Sequence, residues 1–534
     1  MENLTKDELK YLEENLKRKA NSIEKDIVGA QWSEHCSYKS SKRYLRLLPM
    51  KGKRVILGPG YDAGVIDIGD GYVLTVHIES HNHPSAVEPF GGAATGVGGV
   101  IRDIMSMGTR PIAVLDALRF APIVGKSKSA AKSRWLLKNV VKGIADYGNC
   151  IGVPTVGGEI EFDPSFENYC LVDVASIGLG RKEDIVMNHA DVNDIIILAG
   201  GLTGRDGIQG ASFASKIFEE ENRSAVQIPD PFLEKLLLEA TVDAVKNGCI
   251  KSLKDLGGGG LSCCLSETSD TLGKGFDIEL KRILTREKGM TPNELMTSES
   301  QERMLYITDK EKMAGLQSIL DKYGVNYSIL GKVRKHQDLI LRQSGKIVAH
   351  MPSHLVAHAP LTNTTEKRPI YLDELRSVKQ PKEPTNTGKI LLSLLASPTI
   401  ANKKWIYQQY DHEVGIRTIV KPGAADAAVI RLENGKFLAI KLDGNSKHCH
   451  LDPYQGTLGS LSEGLRNVVC TGADPIGVVD HLQFGSPNDP TIYWTFVQTI
   501  NAIVEFCTYM KVPVVGGKVS FYNETIKGPI KSSP

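Results

Sequence analysis

Between Val73 and Ile78 the apolar residues Val73, Leu74, Val76 and Ile78 outline a strand. The run ends on Glu79, Ser80, His81, Asn82 and His83, and a stretch of small residues follows: Gly91, Gly92, Ala93, Ala94, Gly96, Gly98 and Gly99. The pattern predicts a strand, a glycine-rich loop, and a helix from about Val97 that carries Arg102 and Asp103. Upstream, Leu4, Leu9, Leu12 and Leu16 make a thin apolar stripe, predicting an exposed helix over 4–20. Downstream, we expect a helix over 134–147 and a strand over 153–162 broken at Gly157-Gly158. A buried strand over 194–201, a helix over 230–247 with Pro231 in its first turn, and a strand over 304–307 follow. Lys254 to Ser262 again joins an acidic residue to a glycine run and a helix start, and the polar, proline-containing stretch 360–388 predicts a linker.

The pattern then repeats. Asp62-Ala-Gly-Val65 recurs as Asp426-Ala-Ala-Val429, an offset of 364 (426 − 62). Arg102-Asp103 recurs as Arg466-Asn467 and Asp116 to Phe120 as Asp480 to Phe484 in that same register, where Glu79 falls on Asp443 and His77 on Lys441. VPTVGGEIEF from Val153 returns as VPVVGGKVSF from Val512, at 359 (512 − 153). Two homologous α/β modules therefore share the chain, and such copies commonly pair about a pseudo-twofold axis with two clefts that can diverge. The first copy keeps His81, His83 and Asp103 where the second has Asn445, Lys447 and Asn467.

Composition narrows the class. A chain of 534 residues, 41% hydrophobic and 24% charged, predicts three or four globular domains with ample core. A net charge of +2 points to neither nucleic acid nor an acidic membrane face. The nine cysteines follow no disulfide framework, which fits a reduced compartment, and the charged amphipathic opening is not a signal peptide. No apolar run reaches transmembrane length, so a cytoplasmic protein is expected.

The chemistry suggested by the first copy suits an anionic substrate. Small residues let the backbone approach phosphate, and a helix start offers free N–H groups. Glu79 and Asp103 are hard oxygen ligands of the kind Mg²⁺ takes, and the histidines can move protons near neutral pH. Taken alone, His81-Asn82-His83 is equally a hydrogen-bonded loop end, and the glycines a structural turn. No CxxC or HExxH partner supports zinc, and no Walker A motif supports a P-loop. Gln31 to Ser40 is dense in functional side chains. His35 and Cys36, being adjacent, are not expected to face each other as a nucleophile pair, and Lys39, Lys42, Arg43 and Arg46 read as a solvated basic face.

EHCSYKS, ESHNHPSAVEPFGGAATGVGGVIRD, TGRDGIQGASF, ESQERM and VPVVGGKVSFYNE together resemble the small, stand-alone synthetase subunit of phosphoribosylformylglycinamidine synthase, over nearly the whole chain. The resemblance implies an α+β / α/β fold of duplicated AIR-synthetase-like modules arranged as an internal pseudo-dimer. It places a helical segment at 1–39, the first N-module at 40–180, the first C-module at 181–355, a linker at 356–387 and the second N-module at 388–534. A following C-module is expected to be missing, so the chain is a fragment, a split protein completed by another chain, or a reduced form. The implied reaction is ATP-dependent conversion of formylglycinamide ribonucleotide to formylglycinamidine ribonucleotide through an iminophosphate. Its ammonia comes from a glutaminase subunit, and a small bridging subunit completes the complex.

By the same resemblance His35 and His81 are the active-site histidines, with His81 as proton acceptor. Glu79, Asp103 and Asp255 are Mg²⁺ ligands. Ser80, His81, Asn82, His83, Arg102, Gln227, Glu299, Ser300 and Gln301 hold the ribonucleotide, with Ser520 reaching in from the second half. Tyr38, His77, Asp480 and Gly517 fall at ATP-contacting positions. Two departures stand out: His77 replaces the family's Lys or Arg, and Lys518 occupies a metal-ligating Asn position, where a charged amine cannot ligate Mg²⁺ but can pair a phosphate. The alternative is a degenerate scaffold that binds nucleotide or partners without turnover.

Overall fold

The computed structural model describes residues 4–218 and 222–534. The first strand predicted above is Tyr72–Ser80, and it lies third in a six-stranded sheet. The order is Val55–Leu57, Gly64–Gly69, Tyr72–Ser80, Cys170–Arg181, Arg110–Phe120, Thr155–Phe162. Neighbours run antiparallel except the last two, which are parallel because the helix Lys128–Ile151 crosses back between them. The strand Thr155–Phe162 continues through Gly157-Gly158 rather than breaking. Its register slips between Val114 and Leu115, and a Cβ on Gly158 would stand 2.1 Å from Asp116 Oδ1.

The glycine-rich stretch is not a loop. Pro89–Ser106 is one helix of 18 residues, opening with Pro89 and capped by the Glu88 carboxylate, which accepts the Gly91 N–H. A helix start that already carries its own carboxylate has no vacancy for phosphate, so that expectation is corrected. The glycines serve packing instead. A Cβ on Gly92 would lie 2.5 Å from Ser85 N, and one on Gly98 would lie 2.3 Å from the Tyr147 hydroxyl of the neighbouring helix. Val97, Val100, Ile101, Val140, Val141 and Ile144 seal these two helices against the sheet.

The repeat holds in three dimensions. Asn82–Val87 and Pro89–Ser106 return as Ser446–Leu451 and Pro453–Cys470, both at 364 (446 − 82, 453 − 89). The second copy's sheet is in two pieces: Thr418–Val420, Ala428–Arg431 and Phe437–Ile440, then Val478–Gln483 with Val514–Ser520. At the level where the first copy inserts Cys170–Arg181, the described residues of the second supply a single rung, Ser533 to Gln483. The two copies pack face to face, with Leu74, Leu115, Val156 and Ile177 against Ala428, Ile430 and Leu432. At Gly64 a Cβ would meet the Val515 carbonyl at 2.1 Å, so glycine is required there.

Between the copies lies a seven-stranded sheet over 195–352, including Ile195–Gly200, Ser252–Asp255 and Arg303–Thr308. The N-terminal helices Lys6–Leu16 and Ser22–Gln31 dock on it, burying Leu12, Ile27, Val28 and Trp32 beside Ile196, Leu256 and Leu305. The stretch expected as a plain linker is partly anchored: it holds the helix Tyr371–Arg376, buries Leu372, and donates from Thr362 N to the Lys39 carbonyl (3.1 Å). No described helix is long and apolar enough to cross a membrane.

Candidate active site at the junction of the two copies

A cavity of about 640 Å³ opens where the first copy, the seven-stranded sheet and the second copy meet. Its wall brings together His35, Tyr38, His77, Glu79, Ser80, His81, Asn82, His83, Arg102, Asp103, Gln227, Asp255, Glu299, Gln301, Asp480, Gly517, Lys518 and Ser520. Of the site residues that the resemblance implies, Ser300 alone is outside that wall. Its hydroxyl bonds Asp206 and accepts from Gly204 N (2.9 Å) and Arg286 (3.1 Å), within a network behind the cavity.

Strand periodicity explains the first cluster. His77 and Glu79 lie two residues apart, hence on one face of Tyr72–Ser80, while Asp103 comes from the Pro89–Ser106 helix. His77 Nε2 is 3.0 Å from Glu79 Oε1 and 3.7 Å from Asp103 Oδ2. From the second copy Lys518 reaches across to put Nζ 3.2 Å from Glu79 Oε2, beneath the ring of Tyr38. Burial works to raise the Glu79 carboxyl, but the Lys518 ammonium and the His77 hydrogen bond outweigh it and hold the group well below the usual carboxylate range.

Asp62, Asp103 and Asp255 form the second cluster, with oxygens all within 4.8 Å of one another. Burial and then mutual repulsion raise Asp103 far above a normal carboxylate and Asp255 to about 6, with Lys254, paired to Asp62, working against the rise. Three hard oxygen donors with unbalanced negative charge fit a divalent ion such as Mg²⁺. Asp62 was not among the candidate ligands read from sequence, although it opens the repeated Asp-Ala-Gly-Val motif.

The histidines are neutral for a common reason. Burial pushes His81 down to about 4, His35 to about 3 and His83 to about 4. His81 Nδ1 bonds the Gly92 carbonyl, so its proton is on Nδ1 and Nε2 keeps a lone pair. His83 is differently employed: Nε2 donates to the Lys216 carbonyl (2.9 Å), Nδ1 faces the Tyr169 hydroxyl (2.8 Å), and Phe213 and Phe218 stand edge-on to its ring. Asn82 likewise spends its amide on protein. It donates to Gln483 (2.8 Å) and Asn523 (2.9 Å) of the second copy and accepts from Val172 N (2.8 Å).

Opposite these groups, Arg102 is fully buried between Glu234 (3.3 Å) and Gln301. Glu299 accepts from Gly259 N and Ala211 N (both 2.7 Å) and from Gln227 Nε2 (2.8 Å), and burial raises it to about 7. Thr95 Oγ1, Arg102 Nε and Gln227 Oε1 are buried without partners. Native interiors satisfy such atoms, so these three lining residues point to a polar ligand. At the far end, burial pushes Asp480 up to about 7, and a Cβ on Gly517 would meet its Oδ1 at 2.2 Å.

The equivalent cleft of the second copy has diverged. Lys441, Asp443 and Asn467 replace His77, Glu79 and Asp103, closing into a Lys441–Asp443 pair (3.2 Å) and an Asn467–Asp443 hydrogen bond (3.0 Å). Glu159, the counterpart of Lys518, pairs with Arg119 and accepts from Gly444 N (3.1 Å). One cleft retains unbalanced acid, and the other has neutralised it.

Duplicated sheet modules that share a cleft of acids and histidines define an AIR-synthase-type protein. Family models agree: AIR synthase related protein, N-terminal domain, matches 60–180 and 424–532, and the C-terminal domain matches 191–343. The formylglycinamide ribonucleotide amidotransferase linker domain matches 2–39. The chain belongs to the phosphoribosylformylglycinamidine synthase PurL family. It is 48% identical over 532 residues to the phosphoribosylformylglycinamidine synthase subunit PurL of Thermococcus kodakarensis, covering 99% of this chain and 73% of that one. Among solved structures it resembles T. maritima PurL complexed with FGAR (TM-score 0.84, 34% identity, 99% of this chain and 82% of that one). It also resembles T. maritima PurL complexed with ATP (TM-score 0.82, 32% identity, 99% and 81%).

Proposed function

We propose that this chain carries out the ATP-dependent step of formylglycinamidine ribonucleotide synthesis in the cytoplasm. The observation that carries the reading is the convergence of Glu79, His81 and Asp103 with Asp480, Gly517 and Lys518 on one cavity, from copies almost the whole chain apart. The relatives complexed with FGAR and with ATP support both substrates.

An amide oxygen is a poor leaving group. Its attack on the γ-phosphorus of ATP releases ADP, expels the amide N–H proton and gives an iminophosphate. Ammonia then adds to the activated carbon, and phosphate leaves. Neutral His81, with its Nε2 lone pair, accepts the proton, and His35 lines the same space. Asp62, Asp103 and Asp255 would hold Mg²⁺, which would supply charge neutralisation for the phosphates. Lys518, Tyr38, His77 and Asp480 face the nucleotide. Arg102, Gln227, Glu299, Gln301 and Ser520 face the ribonucleotide, where Arg102 Nε and Gln227 Oε1 gain their missing partners. The relative is named as a subunit, which supports a multisubunit complex; in this reading ammonia comes from a glutaminase subunit joined through a small bridging subunit.

The Lys518–Glu79 pair favours a second reading, a nucleotide-binding scaffold, because a fixed ammonium fills a place where a metal charge would serve. ADP release with ATP, Mg²⁺, formylglycinamide ribonucleotide and excess ammonium salt separates the two. Release that requires the ribonucleotide is expected. A folded protein that binds ATP with no release above background overturns the catalytic reading.

A further inference from the structure

We propose a second metal site, for a zinc-class transition ion, formed by Asp270, His354 and His358 at the exposed rim of the cavity, whose wall includes Asp270 and His358. The three side chains offer two imidazole nitrogens and a carboxylate oxygen, all within 4.8 Å of one another. His354 Nδ1 is 3.0 Å from Asp270 Oδ1, and His358 Nε2 is 2.8 Å from Asp270 Oδ2. Zn–N and Zn–O bonds of about 2.0–2.2 Å place neighbouring ligand atoms about 3.3 Å apart in a tetrahedron, so small outward rotations of exposed side chains admit the ion.

Three features distinguish this cluster from a chance hydrogen-bonded pair. His354 lies in the short helix Ser353–Ala357 and His358 is the extended residue that ends it, which brings the two ring centroids to 4.4 Å. The turn, Ser353–Ala357, is fixed to the helix bearing Asp270: the Ser269 and Ser353 hydroxyls bond each other in the buried seam, and Trp32 Nε1 donates to the Val356 carbonyl (2.9 Å). The carboxylate is oriented from behind, because Gln337 Nε2 donates to Asp270 Oδ1 (2.8 Å), the outer support typical of metal-binding carboxylates.

The donor set selects the metal. Two imidazoles with one carboxylate suit zinc, nickel, cobalt or copper, whereas Mg²⁺ prefers oxygen. Each neutral imidazole moves its proton to the far ring nitrogen and turns the lone pair inward. Three protein ligands leave a fourth position for water, and the exposed rings leave entry open. The bound ion would tie Ser353–Ala357 to the C-terminal end of the Gly260–Leu272 helix, whose other end follows Asp255 and the glycine turn of the cavity.

The test uses untagged full-length protein stripped with chelator and titrated with Zn²⁺ by calorimetry, and with Co²⁺ by visible absorption, in excess Mg²⁺. We expect one equivalent that Mg²⁺ does not displace. We expect at least a tenfold loss of affinity in His354→Ala and in His358→Ala, no change in the neighbouring His350→Ala, and melting without added metal unchanged in all three. An isotherm unaltered in the His354→Ala/His358→Ala double variant overturns the proposal. Loss of the equivalent in Asp103→Asn alone also overturns it, since the ion would then sit on the Asp62, Asp103 and Asp255 cluster instead.

Discussion

Lys518 and Glu79, from opposite copies of the duplicated module, form an ion pair at 3.2 Å across the mouth of the shared cavity. The counterpart positions are Glu159 and Asp443, two acids that instead turn to Arg119 and Lys441. An exchange of charge at one position thus leaves a lysine–carboxylate pair at one cleft and two acids, each paired within its own copy, at the other.

Lys518→Ala should leave Glu79 with His77 as its remaining partner. The expected loss of stability is about 1–3 kcal/mol, the usual cost of orphaning a buried charged hydrogen-bonding group. The Glu79 carboxyl is held low in the folded protein, so its contribution is present above its unfolded pKa and fades as pH falls through the lower folded value. Urea melts at pH 7 should separate the variant from the parent, and the gap should narrow in strong acid.

Divalent binding should release protons. Asp255 at about 6 and Asp103 well above its normal range hold protons in the folded protein that a cation must displace. With folded values above unfolded ones, these carboxyls favour the fold at low pH and oppose it progressively as pH rises through that window. Mg²⁺ relieves the opposition, so its stabilising effect should grow from pH 5 to pH 8. Calorimetry in buffers of different ionisation enthalpy measures the release, and Asp255→Asn should reduce it.

His81→Ala should lower ammonia-dependent ADP formation by about 10²–10⁴-fold, the range for loss of a general base. ATP affinity, read by equilibrium binding, should remain near that of the parent, because the nucleotide is assigned to Lys518, Tyr38, His77 and Asp480 rather than to His81. An unchanged rate would remove His81 from the proton-accepting role.

Gly98→Ala tests the packing account of the glycine-rich helix. Helix propensity alone favours alanine by about 1 kcal/mol. The new Cβ would stand 2.3 Å from the Tyr147 hydroxyl, and overpacking costs about 1–3 kcal/mol, so a net loss is expected in thermal melts. Stabilisation would show that the two helices are free to part.

Much of this molecule is legible in one dimension. The strand that carries Glu79 up to His81, the 364-residue register and the match of Lys518 to Glu159 in the repeat follow from period-two alternation and self-similarity, which are local or additive properties of sequence. The glycine-rich helix was misread because glycine signals a loop through its intrinsic backbone freedom. Its use here is set by what the next helix needs at 2–3 Å, a distance known only after packing. The employment of Asn82 and His83 within the protein, the turn of Ser300 toward Asp206, and the addition of Asp62 to the acid cluster belong to the same class. Sequence named most of the site residues that the cavity gathers. Tertiary structure decided which of them still have unspent hydrogen bonds or unbalanced charge, because both depend on neighbours that only the folded chain supplies.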